Sequence, residues 1–351
     1  MTSSGGGVHT PRPAEAQTFL MPPANAAIFV VLRINDGAHA AVRDALTGVS
    51  ALVRTVGYRD PRAELSCVIG VASQAWDGLY AAPRPARLHP FEELVGPRHT
   101  APATPGDLLV HLRARRLDLC FEFARILLDQ LAGQVEVVDE VHGFRYFDER
   151  DLLGFVDGSE SPDGQAAADA VLIDDDPPFN GGTYIVVQKY LHDLTSWNRL
   201  TVEEQERAIG RHKLSNVEIP DEDKAANSHV ALNTITDPDG TQRQIVRDNM
   251  PFGSLADGEF GTYFIGYAAD PGVIEQMLRN MFLGSPPGNH DRVLDFSTAE
   301  TGVLFFAPSA AFLDDPPEPA APASVEPPAE PVSDGSLGIG SLKSPHVSSE
   351  Q

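Results

Sequence analysis

Nearly unbroken apolar runs alternate with segments of helical spacing along most of this chain. The run AIFVVLRI (27–34) predicts a strand, and over 38–56 Ala41, Val42, Ala45, Leu46, Val49 and Val53 recur at helical spacing before Gly57. A second strand follows at LSCVIGVA and, after a proline-rich loop, a third at DLLVHLRA (107–114). Leu117, Cys120, Phe123, Ala124, Leu127 and Leu131 then mark one face of a helix stopped by Gly133, and VEVVDEVHG reads as a fourth strand. This β-α-β-β-α-β order is that of a ferredoxin-like unit, two helices covering one face of an antiparallel sheet.

The second half varies the same order. Strands are expected at GGTYIVVQKY (181–190), GTYFIGYAA (261–269) and GVLFFAP (302–308), with helical segments over 193–210 and 271–283. Thr201 with Glu204 has the spacing of a capping box, and Pro271 opens a helix whose apolar face carries Val273, Ile274, Met277, Leu278, Met281 and Phe282. The predicted fold class is α+β: two ferredoxin-like units, 25–150 and 151–312, packed into one body in the manner of a dimeric α+β barrel. The repeat lies in the order of elements, since no fixed-period identity is visible.

Composition narrows the partners. With 351 residues, 42% of them hydrophobic, the chain can bury a substantial core. A net charge of -24 repels phosphate backbones and anionic lipid, so neither nucleic acid nor a membrane is expected as partner. Cys67 and Cys120 each sit inside an apolar run and read as buried thiols of a reducing cytoplasm. The first 24 residues lack a signal-peptide pattern and read as a disordered arm, and no apolar run is long enough to span a bilayer. Beyond Phe312, the Pro/Ala/Glu-rich stretch 313–332 has too little apolar surface to fold and reads as a tether for the tail 333–351.

Four stretches carry residues suited to chemistry. In LLGFVDGSESPDG (152–164) an apolar run leads Asp157 toward a buried setting, although Asp-Gly by itself is an ordinary turn. In ANSHVALNTI (226–235) His229 stands between a polar serine and an apolar stretch, where an imidazole can be buried and oriented. In QIVRDNMPFG (244–253) Arg247 and Asn249 are two apart and point the same way on an extended chain. GNHDRVLDFSTAETGVLFF (288–306) adds Asp291 and Asp295.

Together these stretches resemble the dye-decolourising peroxidase family, haem enzymes built from two ferredoxin-like halves, over about 25–312. GFVDG matches the family's GxxDG motif, while NSHVALN, RDNMPFG and FIGYAADP look like its bacterial B-type branch. The resemblance implies haem b, one per subunit, with His229 as proximal iron ligand and Asp157, Arg247 and Asn249 over the other face. Arg211 would meet a haem propionate. Asp291, with Asp295 as the alternative, would partner His229. The implied reaction reduces hydrogen peroxide and oxidises a small reductant through a high-valent haem intermediate. Asp157 would shuttle the proton, Arg247 would stabilise the departing oxygen, and Asn249 would orient peroxide or water. The relative weight of Asp157 and Arg247 stays open. Tyr146, Tyr184, Trp197 and Tyr263 are candidates for passing electrons to the site, and the family implies a homo-oligomer.

SDGSLGIGSLK (333–343) resembles the targeting peptide with which peroxidases of this family dock inside encapsulin shells. Glycines permit close backbone approach while Leu337, Ile339 and Leu342 fill apolar pockets on the shell's inner wall. The expected location is therefore the cytoplasm, inside an encapsulin nanocompartment. The additional SPHVSSEQ departs from the pattern. Two other readings share the architecture: a chlorite-dismutase-like or haem-processing reaction, and a non-enzymatic haem store.

Overall fold

The structure is a computed structural model and describes residues 16–159 and 161–317. In chain order its strands are β1 Ala26–Ile34, β2 Ser66–Ala72, β3 Leu94–Val95, β4 Thr100–Ala101, β5 Leu108–Ala114, β6 Val135–Phe144, β7 Thr183–His192, β8 Ile235–Thr236, β9 Gln242–Arg243, β10 Val246–Arg247, β11 Met250–Ser254, β12 Glu259–Ala268, β13 Ser297–Ala299 and β14 Val303–Ala307. Strands β3 with β4 and β8 with β9 form two short ribbons, and the other ten form one sheet. Its spine runs β10-β12-β7-β14-β2-β5-β1-β6, with β11 on β12 and β13 on β7, and every pairing is antiparallel.

The internal repeat is plain in that order. The first half arranges its strands as second, third, first, fourth (β2-β5-β1-β6), and the second half does the same with β10-β12-β7-β14. The halves join where β14 pairs with β2, through Phe305↔Ala72 and Phe306↔Val71. At the far ends β6 and β11 come together, Gly143 lying against Met250 with no room for a Cβ. The sheet thus curls around an inner core that includes Phe29, Val31, Leu109, Val187, Tyr263 and Phe305.

Alternate residues of the same strands face outward. Ile28, Val30, Val186 and Leu304 belong to the second core, roofed by helices. Helix Leu117–Gln130 packs on β1 and β5, and helix Pro271–Phe282 on β7 and β12. With both faces covered, the strands read as continuous apolar runs rather than alternating ones. The predicted capping box is formed: Thr201 Oγ1 accepts from Glu204 N, and Glu204 accepts from Thr201 N at 2.8 Å.

Several expectations are corrected. The single helix over 38–56 is two, His39–Thr47 and Val49–Gly57, parted at Gly48, whose helix-interior cost is about 1 kcal/mol relative to alanine. Leu117 is exposed rather than packed: it is the first residue of the helix, and Leu119 and Cys120 are the ones of that turn that are buried. Residues 16–24, assigned to a disordered arm, are partly fastened. Phe19 is buried, and Gln17 donates to Ile69 O and Pro308 O while accepting from Ile69 N. Cys67 and Cys120 are buried free thiols, pushed up in pKa by burial. Among the described residues no helix is long and apolar enough to cross a membrane. Leu337, Ile339 and Leu342 lie outside the described residues.

Candidate active site

The loop carrying Asp157 is closed by an antiparallel bridge between Arg150 and Val156. Asp157 N donates to Glu149 O at 2.9 Å, and the chain turns away at Gly158, whose φ of +73° suits glycine. The Gly158 amide donates back to Asp157 Oδ1 at 2.7 Å.

Residues 247–249 link β10 to β11 in extended form, so successive side chains alternate. Arg247 and Asn249 line the same cavity, while Asp248 is buried and accepts from Arg113 Nη1 at 2.5 Å. Asn249 Oδ1 accepts from Ile265 N at 3.0 Å, which turns its amino group toward Asp157, donating to Oδ2 at 3.0 Å and Oδ1 at 3.2 Å. Asn249 thus holds the Asp157 carboxylate while itself lining the cavity. The Arg247 guanidinium has no hydrogen-bond or ion-pair partner among the described residues.

His229 opens a five-residue helix, His229–Asn233, that sequence reasoning left unassigned; Ser228 caps it, its Oγ accepting from Ala231 N at 3.3 Å. The ring is held by Asp291, whose Oδ2 lies 2.7 Å from Nδ1, and Asp291 is fully buried. Its other oxygen accepts from Val293 N at 2.9 Å. Burial pushes the imidazole's pKa down, but the charge and hydrogen bond of Asp291 outweigh it and hold it above its ordinary value. Nε2 makes no hydrogen bond among the described residues. Of the two aspartates considered as partner, Asp291 is the one in contact; Asp295 instead meets His99, His290 and Arg292.

Asp157, Arg247, Asn249, His229 and Arg211 all line one cavity, open to solvent, of about 1170 Å³ with its mouth included. Its walls include Phe155, Ile245, Phe264, Leu278, Met281 and Val293. Arg211 is tied to Asn216 O at 2.7 Å and to Glu218 at 3.3 Å. A second cavity of about 670 Å³, reaching Tyr146, Arg145 and Pro23, shares Asp157, Gly158, Arg247 and Asn249 with the first, so these residues stand between the two.

Among the polar residues of the cavity that sequence reasoning missed are Asp151, His192 and Tyr190. Asp151 is raised to about 7, first by burial and then by the neighbouring charge of Asp157; Phe155 N donates to it at 3.0 Å. His192, spanning Ser297 Oγ at 2.8 Å and Thr262 Oγ1 at 2.9 Å, is lowered by burial to about 4 and is neutral at pH 7. Tyr190 donates to Gln188 Oε1 at 2.8 Å. Of the four proposed electron carriers, Tyr184, Trp197 and Tyr263 are buried and Tyr146 lines the second cavity.

Comparison with known proteins places this geometry. The family models for the Dyp-type peroxidase N-terminal and C-terminal regions match residues 17–145 and 148–312. The chain is 59% identical over 337 residues to a dye-decolorizing peroxidase of Mycolicibacterium paratuberculosis, covering 96% of this chain and 94% of that one. The encapsulated DyP-type peroxidase of Mycobacterium smegmatis superposes with a TM-score of 0.86 at 58% identity, covering 87% of this chain and 99% of that one. A variant of DypB from Rhodococcus jostii RHA1, solved in complex with heme, gives a TM-score of 0.84 at 56% identity over 87% of this chain and 100% of that one. With a histidine held by a buried carboxylate and an Asp-Asn-Arg group on one cavity, and with relatives of this identity over nearly its whole folded length, the chain belongs to the Dyp-type peroxidase family.

Proposed function

We propose that this chain binds one haem b in the larger cavity and reduces hydrogen peroxide there at the expense of a small reductant. The convergence of His229 and the Asp157–Asn249–Arg247 group on that cavity carries the reading. The residues fit the group: apolar walls suit a flat macrocycle, His229 Nε2 is an uncommitted ligand atom, and the Arg211 cation suits a propionate.

Haem bound there supplies an iron that accepts the oxidising equivalents of peroxide. His229 would hold it through Nε2, while Asp291 on Nδ1 fixes the tautomer and increases the ring's electron donation. Asp157, aimed by Asn249 and the Gly158 amide, takes a proton from one peroxide oxygen and returns it to the other. Arg247, permanently charged, stabilises the negative charge on the departing oxygen. Hydrogen peroxide is small enough to approach through the second cavity, which ends at the same residues.

The tail supports packaging as encapsulin cargo in the cytoplasm, because SDGSLGIGSLK matches the docking pattern and the similar M. smegmatis protein is an encapsulated one. Assembly into a homo-oligomer belongs to the same reading. Family membership disfavours the chlorite-dismutase-like, haem-processing and haem-store alternatives.

The experiment is an absorption spectrum of the purified protein before and after one equivalent of hydrogen peroxide. A Soret band that shifts on mixing supports the assignment, and absence of the shift, or a Soret band and turnover unchanged in His229→Ala, overturns it. In stopped flow, Asp157→Ala and Arg247→Leu keep the Soret band and slow the shift, by about 10²-fold or more for the proton shuttle.

A further inference from the structure

Asp295 does not line the cavity, and its surroundings are of a different kind. His99 Nε2 lies 3.0 Å and His290 Nε2 3.2 Å from one and the same atom, Asp295 Oδ1. The three prospective donor atoms all fall within 4.8 Å of one another. Side-chain exposures of 21%, 14% and 10% for His99, His290 and Asp295 make the cluster sheltered yet reachable by solvent. The donors come from two separate segments: His99 precedes β4 in the β3–β4 ribbon, and His290 and Asp295 bracket the turn Asp291–Leu294.

We propose that His99, His290 and Asp295 form a binding site for a divalent transition-metal ion of the zinc class, separate from the haem cavity. Two imidazole nitrogens and one carboxylate oxygen are a donor set that suits Zn²⁺, with water completing the tetrahedron, and they discriminate against Mg²⁺ and Ca²⁺, which prefer all-oxygen shells. The two Nε2–Oδ1 separations, 3.0 and 3.2 Å, lie just under the roughly 3.3 Å that neighbouring ligands of a tetrahedral zinc keep, so the donors need part only slightly to admit the ion. Arg292 occupies the other oxygen, Oδ2, as an outer partner that fixes the carboxylate's orientation and leaves Oδ1 to the metal.

Two positive charges oppose a cation here, Arg292 and, at 3.8 Å from Oδ1, Arg98. Arg98 is 63% exposed and therefore screened, and the chain's net charge of -24 favours cation approach. On binding, each imidazole must present the Nε2 lone pair, its remaining proton moving to Nδ1. An ion there would clamp the His99 loop to the turn whose first residue, Asp291, holds His229.

The test titrates chelator-treated, full-length, haem-loaded protein with Zn²⁺ by calorimetry at pH 7.5, with Mg²⁺ as control. Elemental analysis and the Soret band are read in parallel. One Zn²⁺ per chain is expected beyond the iron, unaffected by Mg²⁺, with affinity reduced at least about tenfold in His99→Ala and in His290→Ala. Should either variant fold poorly, His99→Gln at the ribbon loop serves instead, read by loss of the zinc-induced rise in Tm. Absence of stoichiometric binding, or binding unchanged in the variants, overturns the site and leaves an ion-pair cluster alone. Loss of the Soret band in the wild type would instead count against the haem assignment, so the two failures are distinguishable.

Discussion

Asp248, the residue between the two that reach the cavity, is joined to Arg113 by a 2.5 Å hydrogen bond through the interior of the sheet. The pair is 8% and 2% exposed. Arg113 also donates to Thr18 O, and Asp248 N donates to Ile265 O at 3.2 Å, beside the Ile265 amide that clamps Asn249. The cavity-lining segment of the second half is thereby moored to β5 of the first half.

Removing one member of this pair strands a buried charge. Asp248→Leu is expected to lose about 3–5 kcal/mol, while Asp248→Leu with Arg113→Met recovers most of it. Urea denaturation measures both. The double variant still reacts slowly with peroxide, because Arg247 and Asn249 have lost their mooring. A double variant as unstable as the single one would sink this account.

The partner of His229 acts through the ring. Asp291→Asn keeps the shape but removes the charge that holds the imidazole's pKa up, and is expected to lower haem affinity or turnover about 10–100-fold. Haem titration and steady-state assays with a dye measure it; wild-type values in both would show the contact to be merely structural.

Asp151 makes a pH prediction with a definite sign. Its folded pKa, about 7, lies above the ordinary carboxylate value, so between roughly pH 4 and pH 7 the unfolded chain loses this proton and the folded one keeps it. Its contribution therefore falls as pH rises through that window and is flat outside it. At about 1.4 kcal/mol per unit the ceiling is about 4 kcal/mol. Asp151→Asn should be more stable than wild type at pH 7.5 and equal to it at pH 3.5. His192, lowered to about 4, acts in the opposite sense between pH 4 and 6.5, so the difference between variant and wild type is the quantity to plot. A pH-independent difference would refute the assignment.

Deletion of 333–351 should abolish co-purification with a co-expressed encapsulin while peroxide turnover stays at the wild-type value. Retained packaging of the truncated chain would remove Leu337, Ile339 and Leu342 from the docking role.

The strands and the long helices were legible because each is an apolar run or a sustained helical period, and the order of those elements gave the repeated half. Helix His229–Asn233 was not, being barely one turn long and recognisable only by the Ser228 cap. Asp291 was preferred to Asp295 as the partner of His229, but their spacing of four did not separate them; the turn between them sends one to His229 and the other to His99. Asp248 carried no signal of its own, since its partner lies 135 residues away. Asp151 escaped for a similar reason: its shifted proton affinity comes from desolvation and a neighbouring carboxylate assembled by the fold.

The β2–β14 seam rests on two residue pairs, yet it covers a flank of each half. Severing the polypeptide between the halves would bare β2, an entirely buried strand, as a ready template for foreign strands. A fragment ending near residue 145 would self-associate rather than survive as half an enzyme, so the two halves of like strand order are not interchangeable with independent domains.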